Sequence, residues 1–153
     1  MTASERETTM SAGSCGARNC RSPACARERP IMSGNSPTDV LDRYFSLSNT
    51  AGQHPQDFEE LVGLFASDAT LVSGRGESAT GAEAIRSFFH TFFARNTELH
   101  HVWNSRSTDA TRVVVEWAVA RRHADGQVFA ITGTDTATVD ANGRITSLQV
   151  AAK

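Results

Sequence analysis

The run TGTDTATVD, residues 132–140, sets one acid, Asp135, among threonines and small residues, and a second acid, Glu116, stands in VVVEWAVA upstream of it. Asp125-Gly126 between them is a hairpin signal, because both central positions of a type I′ turn need positive φ. With those two residues as the loop, Ala124 pairs with Gln127 and Glu116 falls opposite Asp135. Residues opposed across a ladder share a face. That face then carries Phe129, Ile131, Gly133, Asp135, Ala137 and Val139 from one strand and Val114, Glu116, Ala118 and Ala120 from its neighbour. Counting outward from Asn142-Gly143 adds Leu148 and Val150. Two carboxyl groups on one apolar face cannot both ionise cheaply, so desolvation and mutual repulsion raise the pKa of at least one. A carboxylic acid that keeps its proton can hydrogen-bond a developing oxyanion or act as general acid or base near neutral pH. Gly133, Ala118, Ala120 and Ala137 leave room for a ligand beside it. Against this stands a β-bulge that turns either acid to solvent, or a plain hydrogen bond from Asp135 to a buried backbone group.

A second candidate group is the run His100, His101, Trp103 and Asn104. A two-residue loop at Asp109-Ala110 sets His101 and Trp103 on the Asp135 face, whereas an odd loop brings in His100 and Asn104. A histidine beside an apolar cavity can shuttle protons at neutral pH. Adjacent strand residues point to opposite faces, which argues against a metal site here.

These side chains need a scaffold. Ser36-Pro37-Thr38-Asp39 opens a helix with a capping serine, a first-turn proline and an acid at the positive end of the dipole, and Val40, Leu41, Tyr44, Phe45 and Ser48 share one face. A second helix runs from Pro55 to near Ala66, with Phe58, Leu61, Val62 and Phe65 as its stripe. Ala69 to Ser73 is a short strand, followed by a loop marked by Gly74, Gly76 and Gly81. Thr80-Gly-Ala-Glu83 reads as a capping box for a third helix with Ile85, Phe88, Phe89, Phe92 and Phe93 at helical spacing; this stripe is core, and part of it, Phe89 included, can also line a cavity. Four strands follow, about 98–107, 112–123, 127–139 and 144–152. Helices first and an antiparallel meander afterwards indicate an α+β fold.

The 153 residues, 39% hydrophobic and 21% charged, suit one domain with an ordinary core. A net charge of −2 offers no attraction to phosphate backbones or anionic lipid, and no apolar run approaches the roughly 18 residues that span a bilayer. The expected partner is a small hydrophobic molecule, not nucleic acid or a membrane. Residues 1–35 have the composition of a disordered extension, with Met32 as an alternative start, and 36–153 form the domain. Cys15, Cys20 and Cys25 all lie in that extension at a spacing that does not match paired zinc ligands. No secretory h-region is present, so a cytoplasmic location follows by default.

The segments LDRYFSLS, FASDATLV, GAEAIRSFF and GTDTATVDANGRITSLQV together resemble the nuclear transport factor 2-like superfamily, in its SnoaL-like and ketosteroid isomerase-like branch, over about Thr38 to Val150. The resemblance implies a cone-shaped α+β fold of the cystatin-like type, three N-terminal helices on a curved antiparallel sheet, a deep pocket between them, and homodimerisation through the sheet. It also implies that Asp135 and Tyr44 correspond to the oxyanion-hole acid and tyrosine of ketosteroid isomerases. The proton-transferring aspartate of that family falls on Ser73, and a serine cannot replace that base. Two functions follow as expectations. One is a cofactor-independent isomerase, cyclase or dehydratase that enolises a hydrophobic carbonyl compound, with Asp135 and Tyr44 as oxyanion donors and Glu116 or His101 moving the proton. In it Trp103, Ala118, Ala120, Ile131, Gly133, Ala137, Leu148, Val150 and Phe89 contact the ligand. The other is a non-catalytic ligand-binding or dimerisation module.

Overall fold

The computed structural model describes residues 36–153, so the expectations for residues 1–35, the three cysteines and Met32 lie outside the described residues. Helix α1 (Pro37–Ser48) begins as its sequence requires: Ser36 Oγ accepts from the Asp39 N–H, Asp39 accepts from the Ser36 N–H at 3.1 Å, and Pro37 sits where no helical donor is lost. Its buried side, Val40, Leu41, Tyr44, Phe45, Leu47 and Ser48, faces the sheet. Helix α2 (Pro55–Gly63) stops before the expected Ala66, because Phe65 already opens strand β1 (Phe65–Val72). After the short β2 (Ser78–Thr80), helix α3 (Ala82–Arg95) starts from Gly81, whose φ is +93°, and not from a Thr80 capping box. Strands β3 (Asn96–Ser107), β4 (Arg112–His123), β5 (Val128–Val139) and β6 (Ile145–Ala152) form the expected meander.

All six strands join one open sheet in the order β2-β1-β6-β5-β4-β3. The sheet is mixed, since β1 runs parallel to β6, a pairing that closes the helical half of the chain onto the end of the meander. The three helices pack on one face. The core between them and the sheet holds Leu41, Leu61, Leu71, Ile85, Phe89, Val113, Val115, Val119, Ile145 and Leu148, all nearly inaccessible. Each such side chain contributes about 1.5–3 kcal/mol relative to exposure.

The register of β4 departs from the two-residue loop. The His123 N–H donates to Gln127 O and the Gly126 N–H to His123 O, so Ala124, Asp125 and Gly126 form a three-residue loop closed by Gly126 at φ +92°. Val115 therefore opposes Asp135, and Glu116 opposes Thr134. Every β4 side chain changes face: Val113, Val115, Trp117 and Val119 point inward, while Glu116, Ala118 and Ala120 point outward. The β3–β4 loop also has three residues, 109–111, with the Thr108 N–H bonded to Arg112 O. His101 thus opposes Val119 and Trp103 opposes Trp117, both on the inner face, while His100 and Asn104 lie outside.

Candidate functional site

Strand β5 brings Asp135 to the inner face, 2% exposed, with Val115 and Val150 as its ladder neighbours. Its Oδ1 accepts a 2.7 Å hydrogen bond from Trp117 Nε1. Gly133 makes this contact possible. It pairs directly with Trp117, and a Cβ at 133 would overlap Trp117 Cζ2 and lie 2.7 Å from Ala151 O. The absence of a side chain lets the indole lie across β5 and reach the acid two residues on. Burial pushes the Asp135 carboxyl up to about 7, against which the indole donor acts more weakly. The acid is therefore partly protonated at neutral pH.

Tyr44 comes from α1, packed edge-on against Phe45, Phe65 and Phe89 at centroid distances of 5.1, 6.0 and 6.2 Å. Burial, and then the charge of nearby Asp135, raise its pKa well above the ordinary phenol value, so its hydroxyl stays a donor. On β3, His101 is fixed by Asn49, whose Oδ1 takes the His101 backbone N–H at 2.9 Å and Nδ1 at 2.8 Å. A carboxamide oxygen can only accept, which assigns the proton to Nδ1 and leaves a lone pair on Nε2. Burial, followed by the positive charge of Arg121, lowers the His101 pKa to about 4, so the ring is neutral at pH 7.

Asp135, Tyr44 and His101 line one cavity of about 660 Å³ between α3 and the sheet, together with Phe89, Ile131 and Val150. Six of the expected site residues thus meet. The others do not. Glu116, Ala118 and Ala120 are on the outward face because of the three-residue loop. Trp103 points inward but stacks on Phe45 and donates from Nε1 to Asp42 at 2.9 Å, away from the cavity. Gly133 is covered by the Trp117 ring, and Ala137 and Leu148 are sealed in the core. The paired-carboxylate mechanism therefore has no basis; Asp135 is raised by desolvation alone.

The α3 aromatics divide: Phe93 faces the core, Phe88 and Phe92 line the cavity, and Phe89 does both. Ser73 also lines it, but its Oγ accepts the N–H groups of Arg75 and Glu77 at 3.2 and 3.1 Å, which makes it the clasp of the β1–β2 turn. Trp117, Glu77, Asn96 and Arg121 are lining residues that the spacing did not predict. Trp117 became visible only with the correct loop length, and Glu77 and Asn96 sit at a turn and a helix–strand junction that carry no periodic signal.

The model of the SnoaL-like domain matches residues 42–148. Among solved structures, an NTF2-like protein of unknown function from Exiguobacterium sp. 255-15 is 31% identical, with a TM-score of 0.68 over 74% of this chain and 98% of that one. The Δ5-3-ketosteroid isomerase from Mycobacterium sp. is 20% identical, with a TM-score of 0.64 over 78% of this chain and 98% of its own. A Mycobacterium tuberculosis protein solved with estradiol-17β-hemisuccinate is 20% identical, with a TM-score of 0.63 over 76% and 93%. No functionally curated protein matches the sequence.

Proposed function

The chain belongs to the SnoaL-like domain family, and from that premise we propose that it is a cofactor-independent enzyme that enolises a small hydrophobic carbonyl compound, in an isomerisation, cyclisation or dehydration. The observation that carries this reading is a buried carboxylic acid with a pKa of about 7, opening into the same cavity as a phenol and a neutral imidazole. Protonated Asp135 and the Tyr44 hydroxyl donate to the carbonyl oxygen and stabilise the charge that develops there. His101 Nε2 accepts the proton from the adjacent carbon, in place of the acid that Ser73 lacks. Trp117 orients the Asp135 carboxyl so that its second oxygen faces the ligand. The test is exchange in deuterated buffer: bicyclic ketones such as 2-tetralone and 2-indanone should lose α-protons faster with the protein than with a heat-denatured control, as followed by NMR. Rates equal to the control across the panel would remove the enzymatic reading. A ligand-binding role then remains, favoured by the commitment of Ser73 Oγ to its turn.

The outward sheet face supports a homodimer. Val102 is 69% and Val128 60% exposed, and Ala118, Ala120 and the threonines of β5 around them form a surface of small side chains. Sedimentation equilibrium should give about twice the 16.5 kDa chain mass, and Val102→Glu should return it to one; a parent protein that sediments as a monomer at micromolar concentration would dismiss the interface.

A further inference from the structure

The cavity is unequal at its two ends. At the closed end sit Asp135 and Tyr44, whereas the other end is bordered by Arg75, Arg95, Arg121 and His123 against one acid, Glu77. Arg75, Arg95, Arg106, Arg112 and Arg144 are exposed to solvent, whereas Arg121 is not. Among the described residues, Arg43, Arg86 and Arg122 each pair with a glutamate (Glu60, Glu59 and Glu98 in turn), and Arg121 has no such partner. The contrast with Arg122 is direct, because the two are adjacent on β4 and point to opposite faces. Arg121 is half-buried, its guanidinium lies 5.6 Å from the Phe92 ring centre and 5.8 Å from that of Phe129, and its Nε is buried with no hydrogen-bond partner. The two rings hold the guanidinium by cation–π attraction and fix its plane, but they cannot satisfy its donors.

We infer that Arg121 is the subsite for a carboxylate on the ligand, so that an amphiphilic keto acid or ring-bearing acid is bound in preference to a neutral ketone of the same size. A carboxylate in the cavity takes the two Nη–H groups end-on, a bidentate contact that uses the planar fork of the guanidinium and leaves the buried Nε out. The register sets the spacing. Arg121 lies six residues along β4 from Val115, the neighbour of Asp135, which is ~20 Å at ~3.3 Å per residue; the reach of the two side chains leaves on the order of 10 Å for the body of the ligand. Phe88, Phe92 and Ile131 line the wall between. This inference deepens the proposed function, since it names the far end of the same ligand. It also links the two ends, because Arg121 is one of the charges that hold His101 neutral, and a bound carboxylate offsets that charge and makes His101 a stronger base once the ligand is seated.

Calorimetric titration of the full chain with 4-(2-naphthyl)butanoate and with its isosteric primary amide tests this. The acid should bind at least tenfold more tightly than the amide, and the preference should shrink with added salt. Arg121→Met should abolish the preference and leave the amide affinity within about twofold, which shows that the variant keeps its cavity. Arg121→Lys should retain part of the preference, and Arg122→Met, on the outer face, should change neither affinity. Equal binding of acid and amide by the parent protein, or a preference that survives Arg121→Met, overturns the carboxylate subsite and leaves the enolisation chemistry standing. Failure of both probes to bind overturns the subsite and the ligand cavity together.

Discussion

Asp135→Asn is expected to be more stable than the parent protein at pH 8 and no more stable at pH 4. The unfolded chain ionises this carboxyl near 3.8, and burial in the folded chain raises the value to about 7. Folding therefore favours the protonated form. The contribution of the group is fully present below the unfolded value and is lost as pH rises through the folded one, because the native state must then hold an ionised carboxylate with one indole donor for compensation. A shift of about three units corresponds to about 4 kcal/mol at most. Asparagine has the same shape, stays neutral, and keeps an oxygen for Trp117 Nε1. His101 works in the opposite sense: its folded value of about 4 lies below the ordinary 6.5, so its contribution is present above 6.5 and is lost as pH falls through 4. Since His101 is common to both proteins, their difference isolates Asp135. Urea denaturation should show that difference growing from near zero at pH 4 to about 2–4 kcal/mol at pH 8. A constant difference across that range would mean the carboxyl is not desolvated. A buried acid that weakens the fold at neutral pH has no structural benefit to explain it, which is the physical reason to look for its use in the cavity.

The fold was legible because its signals were local. The Ser36-Pro37 cap and the limits of the four meander strands depend on residues within a few positions of one another and appear within two residues of where the spacing puts them, whereas the first strand starts at Phe65, ahead of the expected Ala69, and Ser78–Thr80 adds a strand inside the expected loop. The site was legible only as far as loop lengths were. All three hairpins of the meander close with three-residue loops, yet they affect parity differently. At Asn142-Gly143 a β-bulge between Thr138 and Val139 restores the register, so Leu148 and Val150 face inward as counted. At Asp125-Gly126 no bulge intervenes, and Glu116 goes outside. At 109–111 the extra residue cancels the one at 124–126, which returns His101 and Trp103 to the Asp135 face. A dipeptide turn signal marks where a strand reverses. It does not count residues, and a miscount of one exchanges an acid for a tryptophan at the centre of the site. Arg121 was invisible for the same reason, since its face follows from that of Trp117.

The pH dependence of ketone exchange should rise to a plateau above about pH 4 and fall above about pH 7. His101 must be neutral to accept a proton, which holds above its value of about 4, and Asp135 must carry a proton to donate to the oxygen, which holds below about 7. In kcat/KM these values belong to the free enzyme. Above the upper limit the rate should drop about tenfold per pH unit, to about a hundredth at pH 9. His101→Gln should reduce the plateau by about 10²–10⁴, the usual range for a removed general base. Asp135→Asn is the sharper variant. Its amide retains a donor but does not titrate, so it should keep part of the plateau rate and lose the alkaline fall. Tyr44→Phe, which preserves the packing against Phe65 and Phe89, should lower the plateau and leave both limits in place. The opposite alkaline behaviour has a definite meaning. A rate that climbs through pH 7 would make ionised Asp135 the base and assign the oxygen to Tyr44 alone. The direction of that one limb, and its disappearance in Asp135→Asn, therefore decides which atom of the ligand faces the buried acid.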